Sequence, residues 1–417
     1  MEEQEESGLT FGEICRLIGR RIWWVLGASV LAAVLAALVL ALAVNPSLTY
    51  YSMQFSLVYP SDESGQYPDG SRFSYRTIIS QERLEDAKAS DDRFAGVDTA
   101  KMLKEDNISI SLNTSDDTSA QRTYTISVGG SYFANADAAE AFIIALVGAT
   151  ENNIIERASQ LEYSISEEAF RASSFDARLE LLANEYDAML NAYDGWIETY
   201  SAGYRVIYDG VGRSLSDYRA DLYSLFSSGL RESLKAQCEN GGFGLLYGDG
   251  ETLEQAVEDR REQLLDEKQR NELIIADLQA ALAPTAALRT SSEKETAVSG
   301  DVSLSSLLTS YIERNAIIET QIGADGTGGS LTYEGAVKFA DRLDDCFHSL
   351  NAAGKTLTSV TAAIYAQNTF SDFVSRSADA TGGISPAIGG VAAFIVVFLV
   401  GAIGVCVSRS RRSKQQA

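Results

Sequence analysis

Two long stretches without a charged residue lie near opposite ends of this 417-residue chain, and they constrain its architecture more than any other feature. Ile22 to Val44 is 23 residues long, enough at about 1.5 Å per residue to cross a hydrocarbon core about 30 Å thick. The second uncharged run, Ala380 to Ser408, contains the equally long apolar segment Ile384 to Val407. Both read as transmembrane helices. Arg16, Arg20 and Arg21 precede the first, and Arg409, Arg411, Arg412 and Lys414 follow the second. The positive-inside rule then places both termini in the cytoplasm and residues 45–383 outside, as in a multi-pass protein of the plasma (inner) membrane. Ala41-Leu42-Ala43 fits a signal-peptidase site, but the run exceeds the usual signal h-region and carries Trp23 and Trp24 where an interfacial anchor sits, which favours a retained span.

Charge separates the compartments. The first 21 residues hold 3 basic and 5 acidic groups, and the segment after Val407 holds 4 basic and no acidic ones. That leaves 27 of the 34 basic and 53 of the 58 acidic residues, a net −26, in between. Phosphate binding needs a basic face, so nucleic acid is not an expected partner. Intrinsic disorder is disfavoured by a hydrophobic content of 45%. Residues 69–283 contain no proline, which suits long helices.

The segment between the spans opens with Tyr51, Met53, Phe55, Leu57 and Tyr59 alternating with mostly polar residues, the period of a strand. Ile108–Leu112 and Tyr124–Val128 read as two more strands, separated by the polar linker 113–122. A helix is expected over 78–103, and another from Ala134 with Ala139, Phe142, Ile143 and Leu146 on one face. This is an α+β module. A heptad follows. Ile154, Ala158, Leu161, Ile165, Phe175, Leu182, Tyr186, Met189, Tyr193 and Ile207 fall on one seam that predicts a continuous helix over 154–207, needing a helical partner. Helices are expected over 214–237, 252–282, 303–322 and 333–373. Asn240–Gly244 reads as a flexible turn and Gly323–Ser330 as a hinge. The expected organisation is a cytoplasmic N-terminus (1–21), a first span (22–44), a membrane-proximal α/β base (45–150), a long antiparallel, coiled-coil-like helical arm (151–330), a return helix (331–383), a second span (384–407) and a basic cytoplasmic tail (408–417).

Constellations that could carry chemistry are weak. Gly354-Lys355-Thr356 matches the end of a phosphate loop, but Ser349 stands where the first glycine is needed and the triplet sits in an expected helix. His348 is the sole histidine; Asp344, Asp345 and Ser349 around it lie on one helix, which cannot align nucleophile, base and orienter. No metal-ligand cluster is apparent, and no cofactor is implied. Cys238 and Cys346 share the outside compartment, so a disulfide between them is open, subject to their Cα atoms lying within about 7 Å. Tyrosines are concentrated between 186 and 223. Tyr186, Tyr193 and Tyr200, with Trp196, occupy the heptad seam, whereas Tyr204, Tyr208, Tyr218 and Tyr223 stay open as glycan or partner contacts.

With spans at both extremes, a strand opening at Asn45-Pro46-Ser47-Leu48-Thr49-Tyr50, the strand and helix Tyr124 to Val147 containing Asn135-Ala136-Asp137-Ala138-Ala139, and Pro386 opening the second span, the chain resembles the bacterial polysaccharide co-polymerases, the Wzz-type chain-length determinants. The resemblance implies a regulator without catalytic activity: a homo-oligomer that acts with a polysaccharide polymerase and a lipid-linked glycan to set chain length or export of a capsule, exopolysaccharide or O-antigen. It assigns Leu57, Tyr124 and Phe142 to the base core, and Pro386 and Gly389 to the start of the second span. Ala28/Ala32/Ala36 and Ala33/Ala37/Ala41 give the small-residue spacing that lets helices approach closely. The proline-rich stretch common before the second span in the family is reduced here to Pro386, and 408–417 is too short for a kinase domain. The alternative is a membrane-anchored coiled-coil scaffold or adaptor of an envelope export or division complex.

Overall fold

The computed structural model describes residues 11–113, 122–208, 210–288, 298–375 and 377–413. It is mostly helical with two antiparallel sheets, and it divides into two compact units, Met1–Arg157 with Tyr365–Ala417, and Ala158–Ile364.

In the first unit, helix α1 (Phe11–Val39) widens into a π-turn at Leu40–Val44 and continues as the single turn α2 (Asn45–Leu48) before strand β1 (Thr49–Val58). The strand therefore begins four residues after Asn45, where the resemblance opens it, and two before Tyr51, where the alternation starts. Its alternation holds: Met53, Phe55, Leu57 and Tyr59 are buried. The helix expected over 78–103 is instead α3 (Gln81–Ala89), a 3₁₀ turn at Asp92–Phe94, and α4 (Thr99–Lys104). Ser80, Asp91 and Asp98 each accept a hydrogen bond from a backbone N–H two or three residues ahead, restarting the chain three times where one helix was expected. Strands β2 (Ile108–Asn113) and β3 (Thr123–Gly129) flank the polar linker, whose residues 114–121 lie outside those described. Helix α5 (Ala136–Ser159) buries Ala139, Phe142, Ile143 and Leu146, the face its spacing predicts. Phe142 packs edge-on against Phe94 and tilted against Phe133, with centroids 5.3 Å away in both cases.

The second unit departs most from expectation. The single helix over 154–207 is broken into the end of α5, the short α6 (Glu167–Ala172) and α7 (Phe175–Tyr200), so no continuous coiled-coil arm forms there. The physical reason lies in residues 161–165, whose backbone groups find partners on the distant helix Tyr333–Asn368. Within α7 the seam survives, with Phe175, Leu182, Tyr186, Met189 and Tyr193 buried. Beyond it, β4 (Arg205–Tyr208) and β5 (Val211–Ser214) form a hairpin in place of the helix end. The helix expected over 214–237 is two, α8 (Leu215–Leu225), started by a capping box of Ser214 and Asp217, and α9 (Ser228–Gly241). Gly242 follows α9 at φ 70°, and Phe243 N donates to Cys238 O (2.9 Å), so the glycine turn is a closed helix end and not a flexible link. Helices α10 (Gly250–Leu288), α11 (Val298–Ile322) and α12 (Tyr333–Asn368) complete the unit, α10 running past Pro284. Nor is Gly323–Ser330 a hinge. Lys268 Nζ donates to Ala324 O (3.0 Å), Arg261 Nη2 to Gly328 O (2.9 Å), and Ser330 Oγ to Asn240 O (2.6 Å).

Helix α12 is 36 residues long, and Asn351, Gly354 and Thr358 lie at i, i+3 and i+7 along it. Asn351 Oδ1 accepts from Ile165 N (2.9 Å) and its Nδ2 donates to Ile165 O (3.2 Å), while Thr358 Oγ1 donates to Leu161 O (2.8 Å). These side chains satisfy backbone groups that a helix would have satisfied internally. Gly354 lies between them because a Cβ there would overlap the Tyr163 carbonyl oxygen and approach Met189 Cε to 3.1 Å. Close packing accounts for the glycine of the Gly354-Lys355-Thr356 triplet.

The chain then returns to the first unit. Helix α12 ends at Asn368, and residues expected to prolong it form β6 (Phe370–Phe373), followed by β7 (Asp379–Gly382) and helix α13 (Pro386–Ser413). The sheet order is β2-β3-β1-β6, all antiparallel, with β7 also paired to β1. Phe55 stands opposite both Tyr124 and Phe373, with ring centroids 5.6 and 5.7 Å away.

Candidate functional site

Among the described residues, three helical stretches are long and apolar enough to cross a membrane: Trp23–Val44, Ala136–Ser159 and Pro386–Ile403. Burial separates them. The apolar window of the middle one is 39% buried within the protein, against 6% for each outer one, so the outer pair has no protein cover for most of its apolar surface. Their side chains nevertheless meet. A Cβ at Gly390 would lie 3.3 Å from Ala33 O and 3.6 Å from Ala37 Cβ, one at Gly401 would lie 2.9 Å from Val25 Cγ1, and one at Gly389 would overlap Leu40 Cδ1. Small residues on both helices thus permit the approach, and Ala33 and Ala37 belong to the spacing read from the sequence.

The seam continues past the apolar stretches. Asn45 Nδ2 donates to Ile384 O and Asn45 Oδ1 accepts from Ile384 N, both at 2.9 Å, and Thr49 pairs with Gly382 where β7 lines up with β1. Gly382 and Gly383 take φ 83° and 81°, the left-handed turn that brings the chain from β7 to α13. Asn45→Ala removes both bonds of this clamp. The expected result is about tenfold faster hydrogen exchange at the Ile384 amide, as measured by mass spectrometry on the chain in lipid nanodiscs. Arg20 and Arg21 fall on α1, and Arg409, Arg411 and Arg412 on α13, but their side chains, like the tail from Lys414, lie outside those described.

The four tyrosines do not share one environment. Tyr218 is buried beneath the Arg213 guanidinium, 4.7 Å from its centroid, and Tyr204 is half-buried against Tyr200 at 4.8 Å. Tyr208, on the hairpin, and Tyr223, on α8, are exposed. Cys238 and Cys346 are both free thiols in the structure, with no bridge between them. Cys238 Sγ instead donates to Asp176 Oδ1 (3.2 Å); burial and that carboxylate push the thiol well above its ordinary range, so it is a poor nucleophile. Burial likewise raises Cys346. Asp344, beside His348, is committed to Arg171 Nη1 at 2.6 Å, which takes it out of any triad.

Sequence patterns gave no sign of the cleft in the second unit. Its volume is about 470 Å³, and it is lined at the end of α9 by Gln237 and Asn240, at the end of the Gly323–Ser330 loop by Ser330, and along one face of α12 by Lys338, Phe339 and Arg342. Phe243 and Phe339, both buried, form its apolar floor with centroids 5.5 Å apart. Arg342 Nη1 donates to Gln237 Oε1, and Lys338 Nζ donates to Glu334 Oε1 (2.7 Å), holding that carboxyl below its usual range. The spacing 338, 339, 342 was available in the sequence, but nothing local connects it to residues 237 and 330.

No family model and no curated protein matches the chain. Among solved structures, one described as a full-length bacterial polysaccharide co-polymerase aligns with 97% of this chain and 99% of its own at 12% identity and a TM-score of 0.31.

Proposed function

We propose that the protein is an oligomeric membrane co-polymerase of the chain-length-determinant kind, a regulator without catalytic activity that acts with a polysaccharide polymerase to set how long a lipid-linked surface glycan grows or is exported. In this reading α1 and α13 cross the same plasma membrane, both termini are cytoplasmic, and residues 45–383 project outside. The observation that carries it is the continuous seam from Ala33 and Gly390 through the Asn45 clamp to the β1–β7 pairing, which ties the two ends of the outer segment together at the apolar helices. A net charge of −26 between the spans suits a solvated body that keeps clear of anionic headgroups. The exposure of Tyr208 and Tyr223 supports a contact of these two with a polymerase or glycan.

Deleting the gene should shift the modal length of a surface glycan on a gel without stopping sugar synthesis, and the restored chain should bring the original length back. Complete loss of the glycan, or an unaltered length distribution, contradicts the proposal. Crosslinking to an efflux or division complex in place of a polymerase would favour the scaffold.

A further inference from the structure

The cleft between α9 and α12 reverses the charge of its surroundings. The segment between the spans has about two acidic residues for each basic one, 53 to 27, yet the lining of this cleft includes Lys338 and Arg342 and no carboxylate. The two cations stand one helical turn apart on the same face of α12. That helix also begins beside the cleft, with Gly335 of its first turn in the lining, so its positive end adds to the field. The opposing negative end, of α9, is taken up within the protein: Glu239 O accepts from Gln321 Nε2 (2.9 Å) and Asn240 O from Ser330 Oγ (2.6 Å).

Size and surface narrow the ligand further. At about 470 Å³ the space far exceeds a lone carboxylate or phosphate and falls within the roughly 300–1,000 Å³ of small-molecule sites. Only the edges of Phe243 and Phe339 reach its base, and its rim is amide, hydroxyl and cation, which suits an anion that also carries hydroxyls. Arg342 supplies a planar fork suited to a carboxylate, aligned by Gln237. Lys338 and its partner Glu334 are both exposed, so an incoming anion competes for the ammonium on even terms.

We infer that this cleft binds one carboxylated sugar unit, a uronate, of an anionic glycan, with the carboxylate on Arg342 and Lys338 and the ring hydroxyls at the polar rim of Gln237, Asn240 and Ser330. The inference deepens the glycan reading above and rests on it for the choice of a saccharide. Calorimetry on the full chain in nanodiscs provides the test, with trigalacturonate, maltotriose and inorganic phosphate as probes. Trigalacturonate should bind saturably, and Arg342→Gln should weaken it about tenfold, the usual consequence of losing a charge-assisted bond. Lys338→Gln, at an exposed position where folding is not at risk, should weaken it severalfold, and Lys355→Gln, at an exposed cation farther along α12 and outside the lining, should leave it unchanged. Equal binding of maltotriose overturns the role of charge; equal binding of phosphate overturns the saccharide; trigalacturonate binding undiminished in both the Arg342 and Lys338 variants, or absent altogether, overturns the site. A deletion that still shifts glycan length while trigalacturonate fails to bind would sink this site alone and leave the chain-length reading standing.

Discussion

Phe142→Ala should cost the first unit about 3–5 kcal/mol, the range for emptying a fully buried aromatic position. The ring sits on the inner face of α5 between Phe94 and Phe133, with Ala139, Ile143 and Leu146 also buried around it. Ile144, on the outer face of the same helix, is exposed, and Ile144→Ala should cost less than about 1 kcal/mol. The contrast between them, measured by urea unfolding of the purified chain in nanodiscs, also decides what α5 is. Its length and composition would let it cross a membrane. A lipid-embedded helix would not reward Phe142 over Ile144 in this way, so equal losses would show that the inner face of α5 is not packed against Phe94 and Phe133.

The second large effect should carry the opposite sign to that expected from helix propensity. Replacing a glycine in a helix interior by alanine ordinarily stabilises by about 1 kcal/mol. Gly148, inside α5 with no neighbouring atom near its missing Cβ, should follow that rule. Gly354→Ala should instead destabilise by about 1–3 kcal/mol, because the added methyl meets the Tyr163 carbonyl oxygen, a backbone atom that cannot rotate away. To make room, the 161–165 segment would have to leave α12 and loosen the Asn351 and Thr358 hydrogen bonds that hold it. Thermal unfolding of the two variants under identical conditions measures both signs. Stabilisation by Gly354→Ala would mean that the close approach does not exist.

These two sites mark the boundary of what the linear pattern conveys. The inner face of α5, the alternation along β1 and the seam of α7 were all legible, since each is a periodic signal repeated within one element: a buried side must recur every 3.6 or two residues whatever it packs against. The end of the α7 seam was misread. The heptad continues across 161–165 and 203–207, but side chains of α12 capture the backbone at the first and a hairpin replaces helix at the second. Strands β6 and β7 were invisible for a related reason. Each has four residues, too few for a period, and their partner β1 lies more than 300 positions earlier in the chain.

The candidate site divides in the same way. The apolar end helices and their small residues were evident from composition, whereas the Asn45 clamp and the cleft were not, because Asn45 with Ile384, or Gln237 with Ser330 and Arg342, become neighbours only through the path of the whole chain. The cysteines show the converse: their shared compartment left a bridge open, and packing turned Cys238 towards Asp176 instead. By itself, then, the sequence determined which surfaces must be hidden from water, since hydrophobicity is carried residue by residue and needs no knowledge of the partner. Tertiary structure alone decided which polar groups meet, because a hydrogen bond or ion pair is directional and short, and only the folded backbone brings two distant residues within its reach.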